Sequence, residues 1–569
     1  MNSIKRVKIV KFILSSAFIT LFIYIFMLQT FYAKKYDLQA KRQHSDSIPL
    51  LAERGRILDT KFRPLVYNQL CSSIRILPKY VRCRDSVATL LASYELKPEN
   101  EIIDELNTKS RLFWFKKFID YQVANRLKTD LHHRRYDNSV IITDDLKRIY
   151  PFGPSIASVT GFVGDESGLS GVEFAFDTVL KGKPGWIILQ KDATGNNYYW
   201  PSYPQVLPVN GNDIVLTIDL DMQEIAYKNL VKCVDSFQAI RGSVLVLDAT
   251  DGAILAMCDY PDFDPKSFRD YPSNLWTPFA IADEFEPGSV YKLVICATAL
   301  SSNARDSLMQ RKYDVSKNIF ITGKKIKDVH NNGILSFDDI FIKSSNIGVS
   351  VLSQMLSPKD FYVMERRFGL SFPTGIEMSG EANGFVDGPK QLTQLRFANN
   401  AFGQGVRATL LQLSVAYLSI ARDGQLLKPY IIKQIINDDK VVYRGEKKIV
   451  RQVLDEKTAL MIKDILARAV TDGTGQAAAL DEYQVCGKTG TAQKIEPNGR
   501  YSDKNSLMTF IGFFPKDNPK YLIATFVDEP KFTRFAGSVT CPLFKKIANE
   551  ILRAENPKTN QTNNDIVIH

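Results

Sequence analysis

The sequence predicts an α+β multidomain protein that is anchored by one helix near its amino terminus. Three observations lead to this prediction: a single long apolar run, a glycine-rich middle segment, and a second half whose strand patterns enclose long helical patterns. The 569 residues include 45% hydrophobic and 24% charged side chains, as is typical of a globular chain. At about 150 residues per domain, this length allows three or four domains.

Residues 12–31 are predicted to form a transmembrane anchor. The run Phe12–Leu28 has no charge and no proline, and it is just long enough to cross a bilayer. Small residues at a cleavage spacing are missing after Leu28, which favours an uncleaved anchor over a cleaved signal peptide. Four Lys/Arg residues lie on each side of the run, but the tail, residues 1–11, is short. We therefore expect the tail to be cytoplasmic and the bulk of the chain to be exported.

The positive charge is concentrated around the anchor. The net charge is +11, and residues 1–50 hold eight Lys/Arg residues against two Asp residues. More than half of the excess therefore flanks the apolar run rather than forming a groove. We expect no nucleic-acid partner.

Cysteine and histidine are too few and too scattered to predict a metal site or a cofactor. The seven cysteines contain no Cys-x-x-Cys pair. Cys71 and Cys83 could pair in an oxidising compartment, or they could be small buried apolar residues. Only five histidines are present, which argues against histidine-ligated metals and against a Ser–His–Asp hydrolase.

Residues 32–212 are predicted to form an extended, non-catalytic domain, here called the pedestal. Helical spacing over residues 80–135 predicts two or three helices, and closely spaced glycines from residue 139 onward predict short strands and turns. Residues 213–555 are predicted to form one catalytic domain. The polar end of the chain, residues 556–569, is expected to be a disordered tail.

The catalytic domain is predicted to hold an antiparallel sheet flanked by helices. A hairpin with an Asp-Gly turn signal is expected near Asp251-Gly252. Helical patterns cover residues 221–233, 288–302, 335–356, 408–422 and 456–471, and strand patterns cover residues 214–218, 243–247, 253–257, 484–494, 507–514 and 521–527.

The first candidate catalytic string is Ser289-Val290-Tyr291-Lys292. The preceding Pro-Gly predicts a turn into a helix, and residues three apart on a helix share a face. The Lys292 amine is therefore expected beside the Ser289 hydroxyl. A serine needs an adjacent base to become a nucleophile, and in a half-chain almost without histidine a desolvated lysine is the available base. By itself the string also fits a helix start with an exposed lysine.

The second string is Ser344-Ser345-Asn346. A hydroxyl and an amide at this spacing suit proton relay and the binding of a substrate amide, although a polar loop would look the same.

The third string is Lys488-Thr489-Gly490-Thr491, on a strand pattern. A lysine with threonine hydroxyls on a strand edge can bind a substrate carboxylate, and Gly490 allows substrate backbone to approach closely.

In this order, the three strings are the Ser-x-x-Lys, Ser-x-Asn and Lys-Thr-Gly set of penicillin-recognising serine enzymes. The chain resembles the class B penicillin-binding proteins, which are membrane-anchored peptidoglycan transpeptidases, from the anchor to about residue 555. The resemblance extends to Arg54-Gly55-Arg56-Ile57, Arg148-Ile149-Tyr150-Pro151, Gly161-Phe162-Val163-Gly164, Gly171-Val172-Glu173, Phe285-Glu286-Pro287-Gly288, Phe402-Gly403-Gln404-Gly405 and Thr491-Ala492-Gln493-Lys494.

The resemblance implies a serine β-lactamase-like catalytic domain and acyl transfer through a serine ester. Ser289 would attack a terminal D-Ala–D-Ala bond, with Lys292 as the general base. The oxyanion would lie between the N–H groups of Ser289 and Thr491. Ser344 and Asn346 would relay a proton and orient the peptide. The terminal carboxylate would be bound by Lys488, Thr489 and Thr491.

Within the family, Asn346 in the third place of Ser-x-Asn is similar to the division-specific, septal enzyme, since the elongation-specific relative usually has Asp there. Two strings depart from the family pattern. An expected Asp-Arg-x-Gly turn is Asp59-Thr60-Lys61-Phe62, which leaves the shape of that hairpin open, and an expected Pro-Gly-Glu is Ser379-Gly380-Glu381.

The resemblance also implies partners and a location. The substrates would be peptidoglycan stem peptides, with β-lactams acylating the same serine. The chain would contact a membrane glycosyltransferase of the shape, elongation, division and sporulation class and other divisome proteins. It would be single-pass in the bacterial inner membrane, with its catalytic domain on the periplasmic side. The alternatives are a β-lactamase or D,D-carboxypeptidase, and a membrane β-lactam receptor or divisome scaffold without turnover.

Overall fold

The chain contains both helices and strands. The structure, a computed structural model, describes residues 3–36, 45–165, 167–191, 197–199, 204–496 and 501–555, so the predicted disordered tail, residues 556–569, lies outside the described residues. The helices are α1 (Ser3–Thr30), α2 (Arg84–Ser93), α3 (Glu99–Thr108), α4 (Tyr121–His133), α5 (Ala157–Thr160), α6 (Gly171–Ala175), α7 (Asp177–Leu180), α8 (Leu220–Ser236), α9 (Phe279–Ala282), α10 (Lys292–Leu300), α11 (Arg305–Gln310), α12 (Phe337–Ile342), α13 (Asn346–Ser353), α14 (Pro358–Arg367), α15 (Gln394–Ala401), α16 (Leu410–Ala421), α17 (Glu456–Thr471) and α18 (Thr540–Glu555).

The strands belong to several separate sheets. They are β1 (Ser45–Leu50), β2 (Ile57–Leu58), β3 (Pro64–Ile76), β4 (Phe113–Asp120), β5 (Val140–Ile149), β6 (Gly185–Lys191), β7 (Asn197–Tyr199), β8 (Gln205–Val206), β9 (Asp213–Leu216), β10 (Arg241–Asp248), β11 (Ile254–Tyr260), β12 (Tyr313–Asp314), β13 (Ile319–Ile321), β14 (Lys324–Ile326), β15 (Ile334–Leu335), β16 (Gln425–Lys428), β17 (Ile432–Asn437), β18 (Lys440–Arg444), β19 (Lys448–Gln452), β20 (Cys486–Ile495), β21 (Tyr501–Phe514) and β22 (Tyr521–Asp528).

The chain divides into two units. The first comprises residues 1–53 and 182–211, and it contains α1 and an antiparallel sheet in which β6 pairs with β1, β7 and β8. Helix α1 is 28 residues long, and its apolar part is long and apolar enough to cross a membrane. It contains the predicted anchor up to Thr30 and begins nine residues before it, so that the basic residues of the tail extend the same helix.

The second unit comprises residues 54–181 and 212–569. One of its sheets has seven strands in the order β18-β17-β9-β2-β3-β4, with β5 also paired to β3. Helices α2, α3 and α4 contribute to one apolar core with β3, β4 and β5, through side chains that include Ile74, Leu91, Leu106, Phe115 and Leu127.

Residues 80–135 hold three helices, where two or three were predicted, and a strand that was not predicted. Strand β4 lies between α3 and α4 and pairs with β3. Its buried residues, Phe115 and Ile119, are four apart. This spacing places two side chains on one face of a helix and also on one face of a strand, so the pattern alone could not separate them.

The turn Asp59–Phe62 keeps the hairpin although it departs from the family pattern. Phe62 has a φ of +64°, in the left-handed region where the family pattern has glycine. Asp59 is fully buried and accepts hydrogen bonds from the N–H groups of Lys61 and Arg63 and from Arg63 Nε, at 2.8–2.9 Å. These bonds stabilise the turn, so that β2 and β3 on either side of it pair as an antiparallel hairpin.

The catalytic sheet has five antiparallel strands in the order β11-β10-β22-β21-β20. Alternate side chains along its strands face two different cores, as the strand period of two requires. Val244 and Val246 pack with α8 and α18, whereas Leu245 and Leu247 pack in the core that contains α10 and α16. The sheet is therefore covered by helices on both faces, as the sequence predicted.

Two predicted elements are refined by the structure. The hairpin β10–β11 turns at Gly252, whose φ is +87°. A single helical pattern was predicted over residues 335–356. The structure has two helices there, α12 and α13, which are separated by Lys343, Ser344 and Ser345. That break contains the first two residues of the Ser-x-Asn string.

Candidate active site

Ser289 lies on a single 3₁₀ turn, Gly288–Tyr291, and α10 begins directly afterwards at Lys292. Gly288 opens this turn with a φ of +57°, and a Cβ at this position would lie 2.8 Å from the carbonyl oxygen of Thr491. Only glycine fits both conditions. Ser289 and Lys292 are three residues apart on this turn, the spacing from which the amine is expected beside the hydroxyl.

Three glycines allow the backbone to pack closely around Ser289. The N–H of Gly288 donates to the carbonyl oxygen of Gly403 at 3.0 Å, and a Cβ on Gly403 would lie 2.2 Å from the Gly288 oxygen. A Cβ on Gly490 would lie 2.9 Å from the oxygen of Pro287. The turn is thereby fixed between the Gly403 loop and strand β20.

Lys292 is buried, with 1% of its surface exposed. Its Nζ lies 2.6 Å from the carbonyl oxygen of Ser344, 2.8 Å from Asn346 Oδ1 and 3.2 Å from Ser344 Oγ. Burial lowers the pKa of Lys292 well below its ordinary value, and the positive charge of Lys488 lowers this pKa further. The structure thus brings Lys292, Ser344 and Asn346 together as predicted.

The Ser344–Asn346 segment is positioned by the ends of two helices. The N–H of Ser344 donates to the Phe341 carbonyl at 3.2 Å, and Ser344 takes a φ of +59°. Ser345 caps α13, since its Oγ accepts the N–H of Gly348 at 2.9 Å. The left-handed conformation of Ser344 turns the chain sharply between the helices, and its own carbonyl reaches Lys292.

Lys488, Thr489, Gly490 and Thr491 lie on β20, the edge strand of the catalytic sheet among the described residues. Lys488 and Thr489 are buried, whereas Thr491 is exposed. Burial lowers the pKa of Lys488 to about 7. Two buried amines with lowered pKa values, Lys292 and Lys488, therefore lie close enough that the charge of Lys488 acts on Lys292.

The structure adds two residues that the sequence predictions missed. Thr474 Oγ1 lies 2.6 Å from Thr489 Oγ1, a hydrogen bond in which either hydroxyl can donate. The Asp328 carboxylate accepts hydrogen bonds from Ser345 and Asn346. The flanking glycines of Thr474 could have marked it as a turn residue, but no sequence pattern marks Asp328.

The arrangement can support serine acyl transfer. It combines a hydroxyl at a helical turn, a buried amine with a lowered pKa, a second hydroxyl in contact with that amine, and a strand edge with a second lysine. Among the described residues, no group of three or more His, Cys, Asp or Glu side chains is placed to hold a metal ion. This combination of fold and site defines a serine acyltransferase of the penicillin-recognising class.

Comparison with known families identifies two domains in the chain. Residues 242–549 match the penicillin-binding protein transpeptidase domain, and residues 49–216 match the penicillin-binding protein dimerisation domain. The chain belongs to this family, and its two matched domains are those of a class B penicillin-binding protein.

Individual relatives cover most of the chain. It is 33% identical to the probable peptidoglycan D,D-transpeptidase PenA of Neisseria meningitidis serogroup A, over 88% of this chain and 84% of the relative. It is 29% identical to stage V sporulation protein D of Bacillus subtilis, over 91% of this chain and 81% of the relative. Penicillin-binding protein 3 of Mycobacterium tuberculosis, in complex with aztreonam, superposes with a TM-score of 0.68 at 27% identity, over 90% of this chain and 97% of that structure.

Proposed function

We propose that Ser289 is the nucleophile and Lys292 the general base of this peptidoglycan D,D-transpeptidase. The observation that carries the proposal is the environment of the Lys292 amine, which is buried, has a lowered pKa and contacts both ends of the Ser344–Asn346 segment. A lysine with an ordinary pKa near 10.4 is almost fully protonated at neutral pH and cannot accept a proton. The environment of Lys292 removes that obstacle.

The hydrogen bonds of Lys292 fit a neutral amine. Its two shortest contacts are to oxygens that only accept, the Ser344 carbonyl and Asn346 Oδ1, and a neutral amine has two N–H groups to donate to them. The lone pair then remains for a hydroxyl proton. Ser344 Oγ is one hydroxyl within reach, and Ser289 lies one helical turn away.

The proposed reaction proceeds in two steps. Ser289 Oγ attacks the carbonyl carbon of the D-Ala–D-Ala peptide bond while its proton passes to Lys292. The proton then moves through Ser344 to the leaving nitrogen, the C–N bond breaks, and D-alanine departs. In the second step the amine of a neighbouring stem peptide loses its proton to the same base and attacks the ester carbonyl. As the ester C–O bond breaks, Lys292 returns that proton to Ser289 Oγ, which forms the cross-link and regenerates the enzyme.

Strand β20 provides the proposed substrate edge. The N–H groups of Ser289 and Thr491 would bind the oxyanion, since the contact between Gly288 and Thr491 places the two segments side by side. Lys488, Thr489 and Thr491 would bind the terminal carboxylate of the peptide. Gly490 was expected to leave room for the substrate backbone, but the space beside it is filled by the turn that carries Ser289, since a Cβ would lie 2.9 Å from the oxygen of Pro287.

We also propose a septal role and a periplasmic catalytic domain. Asn346 in the Ser-x-Asn string and the similarity to penicillin-binding protein 3 favour the division-specific branch. Helix α1 would anchor the chain in the inner membrane, with residues 1–11 in the cytoplasm. The anchor and pedestal would contact a glycosyltransferase of the shape, elongation, division and sporulation class and other divisome proteins.

Labelling with a fluorescent penicillin tests the assignment of the nucleophile. The purified protein is expected to form one covalent adduct, and mass spectrometry should locate it on Ser289. Ser289→Ala should lose the adduct and keep its melting temperature, because only one hydroxyl is removed. An adduct on Ser289→Ala would show that another serine reacts.

Turnover of peptide separates a transpeptidase from a receptor. With a stem-peptide donor and an amine acceptor, the wild-type protein should release D-alanine and form cross-linked product over many cycles. A protein that is acylated by penicillin and never turns over peptide would be a sensor or scaffold.

A further inference from the structure

The carboxylate of Asp328 binds the segment that faces Lys292. Asp328 lies in the loop between β14 and β15 and is half-buried. Its Oδ2 accepts the hydroxyl of Ser345 at 2.5 Å, and its Oδ1 accepts the N–H groups of Asn346 at 2.6 Å and Ile347 at 2.9 Å. One side chain thus makes three hydrogen bonds to three consecutive residues.

These bonds hold the start of α13. The first N–H groups of a helix have no partner within the helix and need an external acceptor. Asp328 accepts those of Asn346 and Ile347, and Ser345 Oγ accepts that of Gly348. Because Asp328 also binds the Ser345 hydroxyl, a single carboxylate orients both the helix start and its capping residue.

We propose that Asp328 is a positioning residue that holds the Ser344–Asn346 turn against the amine of Lys292. The two Lys292 contacts at issue, Ser344 O and Asn346 Oδ1, belong to the residues on either side of Ser345. Without the carboxylate, the helix start would lose three bonds and the turn would be free to shift. This inference rests on the proposed function, since it concerns the same base.

Asp328 also acts on Lys292 through its charge. Two charged groups act on the amine: Lys488 on β20, which lowers the pKa of Lys292, and Asp328, which raises it. The turn between α12 and α13 presents only the uncharged Ser344 and Asn346 to the amine. Loss of the Asp328 charge should therefore lower the pKa of Lys292 further.

Helices α11 and α15, which pack against α10, hold their arginines in ion pairs. Arg305 on α11 pairs with Asp306 at 3.1 Å, and Arg396 on α15 pairs with Asp387 at 3.4 Å.

Helices α14 and α17 also pack against α10. Helix α14 presents Glu365, which is bonded to Tyr291 and has a pKa raised by burial to about 8, so that it is neutral at pH 7. Helix α17 presents Lys463, which pairs with Asp423 at 3.0 Å.

Two substitutions at Asp328 separate position from charge. In Asp328→Asn, the amide oxygen can still accept both N–H groups, and the amide nitrogen can donate to Ser345 Oγ in place of the bond that Oδ2 accepts. The geometry is therefore kept while the charge is lost. In Asp328→Ala, both are lost. The experiment measures the rate constant of acylation of the full-length protein by fluorescent penicillin, from pH 5 to pH 9, with the melting temperature of each variant as the folding control.

Asp328→Ala is expected to lose about 10- to 10²-fold of its maximal acylation rate, as a misplaced catalytic group does. Asp328→Asn should keep most of that rate, and the acidic limb of its pH profile should move to lower pH. Equal maximal rates in wild type and Asp328→Ala would overturn the proposal, and so would equal losses in the two variants.

Ser345→Ala provides a further test if Asp328→Ala does not fold. It removes the hydroxyl that Asp328 binds and leaves the charge in place. It should lower the maximal rate and leave the acidic limb where the wild type has it, whereas a wild-type rate would contradict the proposal. Failure of the proposed function would look different, because the wild-type protein itself would then carry no adduct on Ser289.

Discussion

Tyr291, two residues after Ser289, donates a hydrogen bond from its hydroxyl to Oε1 of Glu365 at 2.7 Å. Both side chains are buried, and Glu365 Oε2 has no partner among the described residues. Burial raises the pKa of Glu365 to about 8, so the carboxyl is protonated at neutral pH. A neutral carboxylic acid thus binds Tyr291, a residue of the turn that carries Ser289.

Glu365→Gln should change how stability depends on pH. A carboxyl whose pKa rises from 4.5 in the unfolded chain to about 8 in the folded protein binds more protons when folded, so its contribution to stability falls as pH rises from 4.5 to 8. The glutamine variant lacks this loss. We expect it to be about 1 kcal/mol less stable than wild type at pH 5, because the amide Nε2, which takes the place of Oε2, is a donor that finds no partner there. Above pH 8 it should be the more stable protein, by on the order of 2 kcal/mol.

Urea denaturation at pH 5, 7 and 9 checks this crossing. Glu365→Ala serves as the control, since the cavity that it leaves should destabilise the protein at every pH. Parallel stability curves for wild type and Glu365→Gln would mean that Glu365 is already ionised at neutral pH.

Lys488→Met should stabilise the protein while abolishing its function. The pKa of Lys488 is about 7 in the folded protein and 10.5 in the unfolded chain. Between pH 7 and pH 10.5 the unfolded chain therefore binds more protons than the folded protein, and the free energy of unfolding rises with pH. A methionine removes the buried amine and this dependence. At pH 7 the variant is expected to be more stable by on the order of 2 kcal/mol. A variant that is no more stable than wild type would contradict the burial of a costly amine at this position.

Lys292→Arg should lose acylation and retain reversible binding of β-lactam. Arginine is always positively charged and has no accessible neutral form, so it cannot accept the proton of Ser289. The rate of penicillin acylation should fall by at least about 10²-fold, the contribution of a general base, and Lys292→Ala should fall to a similar degree. Stopped-flow measurement of adduct formation decides this. A near wild-type rate in Lys292→Arg would leave Lys292 only as a charge, and Ser344 would be the next candidate for the base.

Cys83 offers a test of topology that uses a natural side chain. All seven cysteines are free in the structure, Cys83 is exposed, and five of the others are buried. The remaining thiol, Cys233, is partly buried, and its pKa is raised by burial to about 11, which disfavours the reactive thiolate. A membrane-impermeant maleimide should therefore label Cys83 from the periplasmic side of cells with a permeable outer layer. Cys83→Ser is the control, and labelling that requires lysis of the inner membrane would reverse the proposed orientation.

The sequence predicted the parts of the site that depend on short spacing. Ser289 and Lys292 are three residues apart, and the residues of β20 follow one another, so local geometry alone places them. The two cores of the catalytic sheet follow in the same way from alternation along each strand, as at Leu245 and Val246.

The parts that the sequence did not predict depend on contacts between distant residues. The bond between Asp328 and Ser345 spans 17 residues, and that between Thr474 and Thr489 spans 15. The break between α12 and α13 was hidden because apolar residues on both sides continue a helical pattern. Its cause is the set of tertiary hydrogen bonds that hold Ser344 in a left-handed conformation.

The close backbone packing around Ser289 limits how such an enzyme can evolve resistance to β-lactams. Any side chain at Gly288, Gly403 or Gly490 would meet main-chain atoms within 3 Å, so these positions offer no viable route for mutation. The same main chain must accept both the antibiotic and the stem peptide. Resistance substitutions are therefore expected among side chains near the site but away from the three glycines, where a change can discriminate between the two ligands without displacing the nucleophile.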